Sequence, residues 1–198
     1  NGAVEDYEII VVNDGSRDAT LTIVRSVAAK LPHVVVVDLE QNRGFGGAVK
    51  AGLSRATKDV ATFFPADCPV SHMDVDIYMR LAIYYDVVIG YRRQRRLEMP
   101  WPRRIVSQVF HLMVNIMFNM NFHDVNWIHF YKRRHISSFI GNSDGVFFLA
   151  ENIIRAKAKG YSIAGVDVPF VDRTKGSATG VKLRTIRIAL VDLLKFFW

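Results

Sequence analysis

Residues 8–12 (EIIVV) form an unbroken apolar, β-branched run that ends in Asn13-Asp14-Gly15-Ser16. Runs of this kind mark strands buried on both faces of a parallel sheet. A helical stretch follows to about Ala29, with Ser16 or Asp18 placed to cap it. The alternation then repeats. A strand is expected over 34–38, and the turn Asn42-Arg43-Gly44-Phe45-Gly46-Gly47 opens a helix to about Arg55. A strand over 60–64 is stopped by Pro65, and a helix over 73–84 leads to a strand over 86–90. Strands alternating with helices build βαβ units, so the pattern predicts an α/β fold with a mostly parallel central sheet flanked by helices. Ligands of such sheets bind beyond the C-terminal strand ends. Asp14, Asn42, Asp67, Tyr91 and Arg92 fall there.

The second half is less regular. Residues 92–104 (RRQRRLEMPWPRR) hold six arginines, two prolines and a tryptophan and read as a basic loop. A long helix with an apolar face is expected over 102–120, a strand over 124–131, a helix over 148–159 and a strand over 161–168. A polar, glycine-containing loop over 171–180 leads to a terminal helix over 183–198. Leu183, Ile186, Leu190, Leu193, Leu194 and Phe197 fall on one stripe of that helix at steps of three and four. The stripe either lies on a membrane surface or packs against the protein's own sheet.

Composition narrows the picture. Half of the 198 residues are hydrophobic and 12% are aromatic, which suits one well-buried domain and excludes general disorder. A single cysteine, Cys68, excludes an intrachain disulfide framework and a cysteine-rich zinc site. No window reaches the roughly 18 clean apolar residues of a membrane span. The nearest, 110–122, is interrupted by His111, Asn115, Asn119 and Asn121, and no leader pattern is visible. The sequence opens at Asn1 and enters a strand almost at once, so a further strand and helix are expected before it. The net charge of +7 is unevenly spread: residues 1–70 carry 7 basic and 9 acidic side chains, residues 71–198 carry 19 and 10. A basic second half implies an anionic partner, whether phosphate groups, a membrane surface or nucleic acid.

Local chemistry leaves alternatives open. Asp14 either accepts hydrogen bonds from a nucleobase or ribose, or shapes its turn. The glycine-rich stretch at 42–52 suits an anion at a helix N-terminus, but Gly47 and Gly52 equally suit close helix–sheet packing. It is neither the dinucleotide fingerprint nor a P-loop. His111, His129 and His135 show no metal-binding spacing, and Met113, Met117 and Met120 recur as core residues do.

Taken together, EIIVVNDGSRDAT, NRGFGGAVKAGL, FFPAD and VVIGYR resemble a family 2 glycosyltransferase. RRIVSQVFHLMVNIMF, DVN, AENIIRAKAKGY and RTKGSATG resemble its dolichyl- and polyprenyl-phosphate sugar transferase branch. The resemblance covers nearly the whole chain in order. It implies a single GT-A domain with a Rossmann-like sheet, here without its first strand. Residues 1–91 would bind the nucleotide-sugar, 92–182 the acceptor, and 183–198 would form the amphipathic end.

By that resemblance, Asp14, Asn42, Arg43, Gly44 and Asp67 bind the nucleotide-sugar. Arg92, Arg103 and Ser107 hold the acceptor phosphate, and positions 103 and 107 share a helix face. Arg173, with Lys175 beside it, faces the donor diphosphate. Asp124 orients the sugar or anchors a loop. Where the family carries Asp-x-Asp, this chain has Pro65-Ala66-Asp67-Cys68-Pro69, so Asp67 alone remains to hold Mg²⁺ or Mn²⁺. The expected activity is inverting transfer from a nucleotide-diphosphate sugar to a polyprenyl (dolichyl or undecaprenyl) phosphate, with Asp67, Arg173 and Asp124 in the catalytic set. The setting expected is the cytoplasmic face of a membrane, in cell-envelope glycan synthesis. The alternatives are a glycan-hydroxyl acceptor or a non-catalytic nucleotide-sugar-binding protein. Nucleic-acid binding is disfavoured, because no stacking platform or known module is present.

Overall fold

The computed structural model describes residues 6–66, 72–91, 101–168 and 183–197, with backbone alone at 72–74, 101–104, 183–187 and 197. Strand β1 (Ile9–Asp14) leads through helix α1 (Thr20–Ala28) to β2 (Val34–Leu39), and the two strands pair in parallel from Ile9 opposite Val34 to Asp14 opposite Leu39. Asp18, rather than Ser16, serves the helix start, accepting the Thr20 backbone N–H at 3.0 Å. Helix α2 (Gly44–Arg55) packs back on β1, with Gly52 facing Val12. Its first turn absorbs the glycines expected to lie in the preceding turn.

A second sheet of four strands follows, in the order β3 (Val60–Thr62), β5 (His129–Lys132), β4 (Val87–Tyr91) and β6 (Ile163–Asp167). β4 and β6 are parallel, whereas β5 runs antiparallel to both of its neighbours. The α/β reading holds, and the sheet is mixed because β5 is entered by a return loop from a helix and not by a crossover. Helix α3 (His72–Tyr84) precedes β4, and α4 (Trp101–Met117) follows it. Val87, Val88 and Ile89 of β4 are fully buried, as a strand covered on both faces must be.

The strand expected over 124–131 begins only at His129, and residues 124–128 form an irregular return. The short helix α5 (Arg133–Phe139) was not legible in the pattern. The helix expected over 102–120 runs from Trp101 to Met117, so the end of the basic segment forms the first turn of α4. Helix α6 (Phe147–Ala158) is buried along nearly its whole length, including Glu151 and Asn152. It supplies the floor of the core with Phe147, Phe148 and Ile153.

The terminal helix α7 (Leu183–Phe197) packs part of its stripe on the protein. Leu193 is buried, Leu190 is half-buried and Ala189 is buried beside them, so the described middle of the predicted stripe faces the protein. Phe196 packs on Phe118 and Phe147. Among the described side chains of this helix, Ile188, Val191 and Leu194 are exposed.

Candidate active site

At the end of β1 the Asp14 carboxylate accepts the backbone N–H groups of Arg43, at 2.7 Å, and Gly44, at 3.0 Å. Asn42 donates its side-chain amide to the Asp14 carbonyl at 3.1 Å. Four residues read from sequence therefore meet in one place. The anion at the N-terminus of α2 is the protein's own Asp14, placed where helix dipole and unpaired N–H groups favour a negative charge. One N–H further on, Gly46 donates to the Asp144 carbonyl at 2.8 Å. The first turn of α2 is thus bonded within the chain, and the phosphate cradle considered for its glycines is not what they build. They admit a neighbouring loop: a Cβ on Gly44, whose φ is +77°, would stand 2.9 Å from the Asp144 carbonyl oxygen.

Beside this junction an open pocket of about 550 Å³ is lined by Asp38, Leu39, Glu40, Gln41, Asn42 and Arg43. Its wall is braced from below. Buried Asn13 donates to Asp38 at 2.8 Å, and Arg25 pairs with the other Asp38 oxygen at 3.1 Å. The 142–145 loop that covers α2 is tied by Lys50, which reaches the Asn142 carbonyl and the Asp144 carboxylate, both at 3.2 Å. Glu151 of α6 accepts the N–H groups of Asn142 at 3.0 Å and Ser143 at 2.9 Å, and the Arg155 guanidinium at 2.8 Å. Burial raises the Glu151 pKa, but these donors outweigh it and hold the carboxyl below the usual carboxylate range. None of Asn13, Asp38, Lys50 and Glu151 was singled out by sequence. Glu151 in particular carries no signal, since a Glu in a helix ordinarily faces water.

Asp14→Ala is expected to cost about 1–2 kcal/mol of stability, as loss of a helix-capping carboxylate does. Nucleotide affinity should fall with it, because the 42–43 edge of the pocket loses its anchor. Denaturant melts and calorimetric titration with nucleoside diphosphates check both; unchanged nucleotide affinity in a folded variant removes Asp14 from the donor site.

The second cluster lies past the end of β4. Ser107 on α4 is half-buried, and one turn on the His111 ring is buried. His111 Nδ1 is 2.6 Å from the Ser107 carbonyl oxygen, and its Nε2 is 3.4 Å from the Val125 nitrogen and 3.5 Å from Asp124 Oδ1. Asp124 also accepts the Asn126 N–H at 3.0 Å. Tyr91, at the tip of β4, sits between Asp124 and Asp167. Burial and these two carboxylates raise its pKa, against a hydrogen bond with the His123 backbone. Asp124 and Ser107 are thereby brought to one end of the sheet, with His111 between them.

Asp67, Arg92, Arg173 and Lys175 lie outside the described residues, and residue 103 is placed only by its backbone, one turn before Ser107 in α4. Among the described residues no three His, Cys, Asp or Glu side chains come together in a way that would hold a metal ion.

The α/β fold gathers its candidate residues beyond the strand ends, one cluster beside an open pocket and the other beside a long helix. The chain belongs to glycosyl transferase family 2, whose profile it matches over residues 3–149. It is 29% identical over 194 residues to an uncharacterised glycosyltransferase of Mycobacterium tuberculosis, covering 96% of this chain and 85% of that protein. It is 34% identical over 106 residues to an undecaprenyl-phosphate 4-deoxy-4-formamido-L-arabinose transferase of Pseudomonas fluorescens, covering 52% of this chain and 31% of that one. Among solved structures it resembles the M. tuberculosis glucosyl-3-phosphoglycerate synthase in complex with Mn²⁺, uridine diphosphate and phosphoglyceric acid. That match has a TM-score of 0.70 at 18% identity and covers 96% of this chain and 67% of that one. The fold is GT-A.

Proposed function

We propose that this protein is an inverting glycosyltransferase that moves a sugar from a nucleotide-diphosphate sugar to a polyprenyl phosphate at the cytoplasmic surface of a membrane. The observation that carries this reading is a second apolar stripe on α4, exposed beside the one that packs on the core through Phe110, Met113, Val114 and Met117. Ile105, Val109, Leu112 and Ile116 recur at steps of four and three, and they are 50%, 48%, 58% and 71% exposed. Polar Ser107 and His111 lie on another side of the helix, turned toward the Asp124 return. A helix that already buries one apolar side and leaves a second facing water is unfavourable in solution and suited to an interface where the outer side meets lipid. The basic segment 92–104 leads directly into this helix, and its six arginines complement anionic lipid and an acceptor phosphate. The undecaprenyl-phosphate transferase relative supports the same acceptor class. No helix among the described residues is long and apolar enough to cross a membrane.

The chemistry needs no strong base. A phosphate monoester is already anionic near neutral pH. Its oxygen attacks the anomeric carbon, the bond to the nucleoside diphosphate breaks, and the electron pair leaves with that diphosphate. In this reading residues 1–91 bind the donor, with the Asp14, Asn42, Arg43 and Gly44 junction shaping the pocket. Residues 92–182 bind the acceptor, with Arg92, Arg103 and Ser107 holding its phosphate and Asp124 placed beside it. Arg173 neutralises the leaving diphosphate, with Lys175 in support. Mg²⁺ or Mn²⁺ bound between Asp67 and the donor would add further charge neutralisation there.

The test pairs turnover with membrane binding. Uridine and guanosine diphosphate sugars are offered with a short polyprenyl phosphate, with phosphoglycerate and with a glycan acceptor, in Mg²⁺, Mn²⁺ or EDTA. Sugar should appear on the polyprenyl phosphate, and the protein should float with anionic liposomes. The Leu112→Asp, Ile116→Asp double variant should stay folded, lose flotation and turn over a water-soluble short-chain acceptor at near the original rate. Transfer to phosphoglycerate or glycan alone, or donor binding with no transfer, overturns the reading.

A further inference from the structure

Ser107, His111 and Asn115 stand four residues apart on α4, and together they fasten the return that follows the helix. Asn115 donates its side-chain amide to the Phe122 carbonyl at 3.1 Å and accepts the Phe122 N–H at 3.2 Å. His111 makes the next attachment, at Val125 and Asp124. The Ser107 carbonyl can only accept, so the 2.6 Å contact assigns the His111 proton to Nδ1. The Nε2 lone pair is then free to accept the Val125 N–H, and Val125 itself is buried.

We propose that His111 is the positioning residue of the acceptor end: it fixes the 122–126 return, and with it the Asp124 carboxylate, relative to Ser107. Nε2 accepts the Val125 N–H, and the Asp124 carboxylate stands 3.5 Å from the same nitrogen. Asp124 is the charged group directly facing the ring among the described residues. Tyr91 from β4 and Asp167 from β6 lie one layer further on, and the His123 ring packs edge-on against Tyr91. Asp124 accepts the Asn126 N–H within the same short return that His111 fastens at Val125, which is how a site on a loop gains the precision of one on a rigid element.

The kinetic part of this inference rests on the glycosyl transfer proposed above; the structural part does not. Two variants separate them. His111→Gln carries its amide about where Nε2 stands and can still accept the Val125 N–H. His111→Leu can make neither bond. In amide-resolved hydrogen exchange the Val125 amide should exchange with solvent about tenfold faster or more in His111→Leu and regain most of its protection in His111→Gln. In transfer assays His111→Leu should raise the acceptor KM about tenfold to hundredfold, with donor KM within about twofold. His111→Gln should restore most of the acceptor KM. A Val125 amide as protected in a folded His111→Leu as in the wild type, or a folded His111→Leu with unchanged acceptor KM, overturns the proposal. If the wild type transfers no sugar to polyprenyl phosphate, the functional reading fails, and the Val125 exchange alone decides the role of His111.

Discussion

Glu151→Ala is expected to lower stability by about 3–5 kcal/mol, the range for breaking a buried, fully bonded ionic group. Two mechanisms add. The Asn142 and Ser143 N–H groups lose their acceptor, and the partly buried Arg155 guanidinium loses its i,i+4 partner. The pH dependence has a fixed sign. A carboxyl held below its ordinary value contributes stability in full above its unfolded value, near pH 4.3, and loses that contribution as pH falls through the depressed folded value. Urea melts at pH 7 and at stepwise lower pH should therefore show the wild type converging on Glu151→Gln in acid. The 142–145 loop covers the first turn of α2, so nucleoside diphosphate affinity should fall with stability. A melt midpoint unchanged in Glu151→Ala contradicts the assignment of Glu151 as the anchor of that loop.

Gly46→Ala runs against helix propensity. Alanine ordinarily gains about 1 kcal/mol over glycine inside a helix. At this position its Cβ would stand 2.5 Å from the Ser143 carbonyl oxygen and 2.8 Å from both the Gly145 carbonyl oxygen and Phe148 Cβ. Two of those neighbours are backbone and the third belongs to a fully buried residue, so none yields cheaply. A net loss of about 2–3 kcal/mol is expected, the cost of overpacking a tight contact. The same variant should displace the loop that pairs with Lys50 and weaken donor binding. The double variant with Glu151→Gln should lose less than the sum, because both act on residues 142–145. Thermal melts of the two single variants and the double measure this directly; a Gly46→Ala protein as stable as the wild type refutes the close packing.

Much of the first half was legible in sequence because its signals are local. Strands β1, β2 and β4 announce themselves as apolar β-branched runs, and glycine and proline punctuate them. Each such preference is decided within a few residues, so no tertiary information is needed. The same locality made Asp14, Asn42, Arg43 and Gly44 visible as a group before their contact was known. Ser107 and Asp124 were named only through the family resemblance, since neither stands out in the local pattern.

The partners of those residues were decided only by tertiary structure. Whether the Asp14 carboxylate faces a ligand or its own helix depends on how near α2 comes, and that is set by a loop about a hundred residues later in the chain. Glu151 reads as an ordinary helical glutamate, and only the burial of α6 turns it into the anchor of that loop. The amphipathic pattern of α7 names a stripe but not its direction, and packing against Phe118 and Phe147 turned Leu193 inward. For α4 the pattern pointed to an apolar face, and the fold left part of that face outside while His111 and Ser107 turned toward the Asp124 return. Periodicity fixes which residues share a side of a helix. Which side meets the protein is set by contacts distant in sequence, and their free energy exists only once the chain has folded.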